Sequence, residues 1–135
     1  MRFSDEQIRA VYETIDDKEV LALAREMVRI PSVYTKEHRM SEFVAGKFDG
    51  WGIDVERVPI PNHGDTLVAS MGPKKVKAVA FNGHMDTVDV MAGWRHDPYA
   101  ATVEKGRLYG LGSLDMKSGL ATMMLAFRAI HESGI

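Results

Sequence analysis

The chain has 135 residues, one domain's worth, of which 45% are hydrophobic and 27% charged, a composition that suits a soluble globular fold and excludes intrinsic disorder. Lys and Arg number 17 against 19 Asp and Glu, a formal charge of −2, and no basic run is dense enough for a nucleic-acid interface. Cysteine is absent, which excludes disulfides, thiolate metal sites and cysteine nucleophiles, so any metal must be held by His and carboxylates.

Ser4, followed by Asp5, Glu6 and Gln7, is a helix start with acids in the first turn, and Ile8, Val11, Tyr12 and Ile15 recur at helical spacing. Asp16 and Asp17 cap a second expected helix whose buried stripe is Val20, Leu21, Leu23, Ala24 and Met27, ended by Ile30-Pro31-Ser32. A third helix is predicted over residues 41–48, stopping near Gly50-Trp51-Gly52. Beyond it the period changes. Residues 53–58 and 66–70 read as strands, separated by a loop of Pro59, Pro61, Asn62 and Gly64. Lys74-Lys75-Val76-Lys77 is the solvated start of a third strand over 76–82. Its Val79-Ala80-Phe81 centre is continuously apolar, as in an interior strand covered on both faces. Residues 89–96 read as loop. Glu104-Lys105-Gly106 is a hairpin turn between 101–103 and 107–109. The last predicted helix covers 116–132, with Leu120, Met123, Met124, Phe127 and Ile130 as its stripe, ended by Ser133-Gly134. Strands mixed with covering helices point to an α/β fold in three layers. The first ten residues have no apolar run of the kind a signal peptide needs, and the stretch 120–127 is too short to span a bilayer. The expectation is a cytoplasmic protein with neither a membrane nor a nucleic-acid partner.

His84 follows the predicted interior strand, where ligand sites of open α/β sheets lie. Asp86, two residues on, falls on the same side if strand geometry persists. A carboxylate there can take the ring N–H, fix the tautomer and make the other nitrogen a better metal ligand. Gly83 leaves room where the backbone would pass a ligand. Taken alone, His84 is equally well a buried, hydrogen-bonded histidine. Asp115, after Gly110-Leu111-Gly112-Ser113, is by itself a helix N-cap. It can also bridge two cations, and two-metal hydrolytic sites hold their ions roughly 3.5–4 Å apart. The other histidines carry less. His63 reads as a loop residue, His96 and Asp97 as structural, and His38 and His131 as solvent-facing or helical. Met116, Met123 and Met124 read as core, and Gly110-Leu111-Gly112 lacks the rest of a nucleotide fingerprint.

The run Val79-Ala80-Phe81-Asn82-Gly83-His84-Met85-Asp86-Thr87-Val88 resembles the first signature of the M20 metallopeptidases. The run from Gly106-Arg107-Leu108-Tyr109-Gly110 through Leu111-Gly112-Ser113-Leu114-Asp115-Met116-Lys117-Ser118-Gly119 resembles their second. Trp94-Arg95-His96-Asp97-Pro98-Tyr99 is similar to the connector between the two, and Ile30-Pro31-Ser32-Val33 to the segment after the family's first helices. The family includes carboxypeptidases, dipeptidases, acetylornithine deacetylases and succinyl-diaminopimelate desuccinylases. The resemblance implies a zinc-peptidase-like α/β/α catalytic domain, of which residues 1–135 are the N-terminal portion. It implies that the rest of that domain and an inserted dimerisation domain lie elsewhere, and that the parent is a homodimer. It implies two Zn²⁺ per complete site, with Co²⁺ or Mn²⁺ as substitutes. His84 would be a metal ligand, Asp86 the catalytic residue that orients it, and Asp115 the ligand bridging both ions. A cis peptide is implied after Asp115. The substrate would be a small peptide or an N-acyl amino acid, cut at an amide. Leu111 and Ser118 stand where the family commonly has Arg and Gly, which bears on substrate more than on metal. The family's general base lies in a Glu-Glu pair, and this chain has none. The contrasting expectation is a non-catalytic metal-binding or interaction module.

Overall fold

The computed structural model describes residues 3–73 and 79–134. Three helices come first: α1 (Asp5–Glu13), α2 (Asp17–Val28) and α3 (His38–Gly50). α1 opens on a reciprocal capping box, in which the Ser4 side chain accepts from Gln7 N and the Gln7 side chain accepts from Ser4 N. α2 opens on Asp16, whose carboxylate accepts from Lys18 N at 2.8 Å. Strands β1 (Val55–Val58) and β2 (Thr66–Ala69) pair antiparallel, with Val55 opposite Ala69 and Val58 opposite Thr66. β3 (Thr102–Glu104) and β4 (Arg107–Tyr109) form a hairpin closed by Lys105 and Gly106. Both turn residues have positive φ, 50° and 74°, the pattern of a two-residue turn that matches strand twist. A kinked turn over Ser113–Lys117 leads into α4 (Ser118–Ser133), which ends on Gly134 in the left-handed region at φ 67°.

The core lies between α2, α3 and α4. Leu23, Ala24 and Met27 of α2 pack with Met40, Val44 and Phe48 of α3, with Ile53, and with Ala121, Met124 and Leu125 of α4. Phe48 meets Trp51 and Phe127 edge-on, at centroid distances of 5.5 and 5.9 Å. The predicted α2 and α4 stripes are each rotated slightly. Val28 is buried while Leu21 is 38% exposed, and Ala121, Leu125 and Ala129 are buried. Amphipathic spacing indicates which side faces the core, and the neighbouring helices select which residues reach its centre.

α1 forms as expected; none of its residues is buried, Ile8 and Tyr12 are exposed, and it lies against α4. One expectation is corrected. The predicted interior strand over 76–82 is not seen. Residues 76–78 lie outside the described residues, and 79–82 belong to no strand, with Val79 81% and Phe81 61% exposed. A strand exists only where neighbours take up its N–H and C=O groups, and nothing described pairs with 79–82. Among the described residues the strands form two separate two-stranded sheets, a mixed arrangement of helices and small sheets without a continuous central layer. No helix among them is long and apolar enough to cross a membrane.

Candidate metal centre

Two segments that carry the site are fastened to the same stretch of chain. Val33 forms a parallel bridge with Thr87, in which Thr87 N donates to Ser32 O at 2.8 Å and Tyr34 N donates to Thr87 O at 3.0 Å. This holds the segment carrying His84 and Asp86 beside the chain that leaves α2. Leu111 N donates to Pro98 O, and Lys117 N to Gly112 O, shaping the loop that carries Asp115. Gly112, at φ 77°, is required by space as well as by conformation. A Cβ there would stand 2.6 Å from Thr87 Cγ2 and 3.3 Å from two Lys117 carbons.

His84, Asp86 and Asp115 come together. His84 Nδ1 lies 3.1 Å from the Asp86 carbonyl oxygen and 3.2 Å from its Oδ1. His84 Nε2 lies 2.8 Å from Asp115 Oδ1, across 31 residues of sequence. Both ring nitrogens therefore face oxygens that can only accept. A neutral imidazole has one N–H and satisfies one of them. With Nδ1–H directed at Asp86, the Nε2 lone pair points at a carboxylate unless a proton or a metal cation stands between them. The hydrogen bond to Asp115, opposed by partial burial and helped by the Asp86 carbonyl and both carboxylate charges, raises the His84 pKa above its ordinary value. Asp115 is not an N-cap. The N-cap of α4 is Lys117, which makes no side-chain capping bond, and the Asp115 side chain is 85% exposed and turned to His84. The Asp115–Met116 peptide is cis.

The three residues line a cleft of about 460 Å³ with Trp94, Leu111 and Ser113. Trp94 also borders a neighbouring cleft of about 700 Å³, where His96 stacks on Tyr109 at a centroid distance of 4.7 Å. In that larger hollow His96 Nε2 stands 3.8 Å from Glu104 Oε2, beyond hydrogen-bond reach, against 2.8 Å between His84 Nε2 and Asp115 Oδ1 in the smaller one. Gly83 is also required by packing. A Cβ on it would meet Met123 Cε at 2.9 Å and Met116 Cε at 3.2 Å, so the backbone there passes close to methionine ends beside α4. His63 sits away from the cleft, 3.5 Å from Glu37 Oε2 and edge-on to Tyr34. Asp97 accepts from Tyr99 N, a local turn contact.

The matching family model, described as peptidase family M20/M25/M40, covers residues 80–135, the stretch that carries His84, Asp86 and Asp115. A succinyl-diaminopimelate desuccinylase from Gluconobacter oxydans is 38% identical over 121 residues, 84% of this chain and 30% of the relative. One from Methylobacterium radiotolerans is 39% identical over 118 residues, 83% of this chain and 30% of the relative. One from Rhodospirillum centenum is 36% identical with the same coverage of both. The chain belongs to the M20 peptidase family. This M20 chain spans about 30% of the length of the curated relatives it matches.

The donor types fit the metal that the family resemblance implies. An imidazole nitrogen and a carboxylate oxygen suit zinc, and no thiolate competes. The donor number is smaller than a catalytic zinc takes, usually about three protein ligands. Among the described residues, no group of three or more His, Cys, Asp or Glu side chains is placed to hold an ion. Two buried side chains escaped sequence reasoning. Lys117 is fully buried, with Nζ donating to Met27 O at 3.1 Å and to Ile30 O at 2.8 Å. Burial pushes its pKa down to about 8, so at neutral pH the ammonium form still predominates. Glu37, 7% exposed, accepts from Thr35 N at 2.7 Å and from Gly64 N at 3.4 Å. Both are charged residue types, which sequence patterning assigns to the surface.

Proposed function

We propose that this chain supplies part of the metal centre of an amide hydrolase, with His84 and Asp115 as metal ligands and Asp86 as the residue that orients His84. The observation that carries the proposal is the imidazole held between two acceptors, with Nε2 aimed at the Asp115 carboxylate. Asp86 holds Nδ1, which fixes the tautomer and directs the Nε2 lone pair outward. Asp115 Oδ1 lies 2.8 Å from His84 Nε2, and its exposed carboxylate would offer one oxygen to each of two ions once a cation takes the place of that direct contact. Zn²⁺ is the ion the donors suit, with Co²⁺ or Mn²⁺ as substitutes, and it would supply a water of lowered pKa and polarisation of the scissile carbonyl.

The whole protein would add the remaining ligands and a carboxylate general base, completing a three-layer catalytic domain and assembling as a homodimer. Its substrate class would be a small N-acyl amino acid, of which succinyl-diaminopimelate, the compound in the relatives' names, is the leading instance.

Calorimetric titration of the metal-free chain with Zn²⁺ tests the ligand assignment, with His84→Ala and Asp115→Ala compared against the unmodified chain. Loss of binding in both variants is the expected result, and unchanged affinity in both would overturn it. Hydrolysis of succinyl-diaminopimelate by the whole protein, before and after chelation, tests the reaction. Turnover that survives complete metal removal would overturn the metal-dependent reading.

A further inference from the structure

Lys117 has no role in the hydrolytic scheme, yet its ammonium is as fully buried as any group in the described fold. Removing a cation from water is costly unless hydrogen bonds replace the lost hydration. Two carbonyl oxygens, Met27 O and Ile30 O, provide that replacement from across 90 and 87 residues of sequence. Met27 lies in the last turn of α2 and Ile30 just beyond it, where the negative end of the helix dipole favours a cation, and Met27 O accepts from Ile30 N at 3.0 Å as well as from Lys117. An apolar side chain of equal length would fill the same space and leave both carbonyls without that partner.

The place of this contact matters more than its burial. Residues 27–34 are where both halves of the site attach. The half bearing His84 and Asp86 attaches through the Val33–Thr87 bridge. The half bearing Asp115 attaches through Lys117, two residues further along the same turn. Gly112 leaves room for both fasteners, since a Cβ there would stand 2.6 Å from Thr87 Cγ2 and 3.3 Å from two carbons of the Lys117 stem. The Asp115 side chain, largely in solvent, bonds His84 through Oδ1. Its position relative to His84 is therefore set by how its turn is anchored. We propose that Lys117 is a positioning residue that fixes Asp115 against His84 by clamping the Ser113–Lys117 turn to the carbonyls at the end of α2. The Ile30-Pro31-Ser32-Val33 segment becomes the shared frame of the site. The geometric claim stands on the structure alone, and its consequence for metal affinity rests on the function proposed above.

The test compares Lys117→Met, which keeps length and removes the donors, Lys117→Arg, which keeps charge and donors, and Val44→Ala, a core truncation away from the site. Crystal structures of the metal-free proteins give the first readout. The His84 Nε2 to Asp115 Oδ1 separation of 2.8 Å should open beyond hydrogen-bond reach in Lys117→Met and persist in Val44→Ala. Co²⁺ affinity and its visible absorption spectrum give the second. Lys117→Met should bind about tenfold or more weakly, with Lys117→Arg recovering most of the loss and Val44→Ala unchanged. Where Lys117→Met does not fold, Lys117→Gln replaces it, since its amide can reach one carbonyl, and it should show the same changes at smaller size. An unchanged separation in the folded Lys117 variant, or an equal opening in Val44→Ala, would overturn the positioning role. Failure of the unmodified chain to bind Co²⁺ would instead count against the metal-centre reading and leave the separation measurement to decide the role of Lys117.

Discussion

Asp86 meets His84 twice, through its carbonyl oxygen at 3.1 Å and its carboxylate at 3.2 Å, both on the Nδ1 side of the ring. Asp115 occupies the Nε2 side. A side chain that acts on a ligand through the far edge of an imidazole tunes affinity without touching the ion. Asp86→Asn should therefore weaken Zn²⁺ binding by about 10- to 100-fold without abolishing it. Calorimetry on the metal-free chain measures this. Affinity equal to that of the unmodified chain would remove Asp86 from the orienting role.

Glu37 makes the fold sensitive to acid. Burial is the largest influence on its carboxyl and opposes ionisation. The N–H groups of Glu37, Thr35 and Gly64, with the nearby His63, outweigh it and hold the pKa below 4.5. A carboxylate lowered in the folded state contributes stability above its unfolded pKa and loses that contribution as pH falls through the folded value. Glu37→Gln should cost about 1–2 kcal/mol near neutral pH, and the gap to the unmodified chain should narrow as pH falls below the ordinary glutamate range and close once it passes the lowered folded-state value. Urea unfolding across that pH range checks it. A gap that stays constant with pH would show that the charge of Glu37 is immaterial.

Gly110 is a matter of space rather than of backbone freedom. A Cβ on it would lie 2.2 Å from Val28 Cγ1 and 3.1 Å from Pro98 O. Gly110→Ala should destabilise the chain by about 1–3 kcal/mol. The added cost should shrink when Val28→Ala is already present, because the colliding methyl is then gone. A double-mutant cycle by thermal unfolding measures the coupling, and additive costs would contradict the predicted clash.

Arg128 lies 13% exposed, pairs with both oxygens of Glu19, and places its guanidinium 5.2 Å from the Trp51 ring centre. Lysine can supply the charge but neither the planar fork nor the stacking. Arg128→Lys should lower stability by about 1 kcal/mol. Chemical unfolding of the two proteins side by side gives the difference, and equal midpoints would show that charge alone suffices.

Features made by neighbours in sequence were legible in the sequence. Ser4 with Gln7, Asp16, the Lys105-Gly106 turn and Gly134 each fix a helix end or hairpin through contacts within a few residues, and all stand where expected. The two motifs carrying His84, Asp86 and Asp115 were legible as patterns and through their resemblance to the M20 family. The rest depended on what lies across the fold. Tertiary packing turned Asp115 from a helix cap into the partner of His84 Nε2, buried Lys117 and Glu37, and left Val79 and Phe81 exposed. The physical reason is the range of the forces involved. Capping and turn geometry are decided within one helical turn, whereas burial and charge pairing depend on partners tens of residues away, whose approach only the folded chain defines.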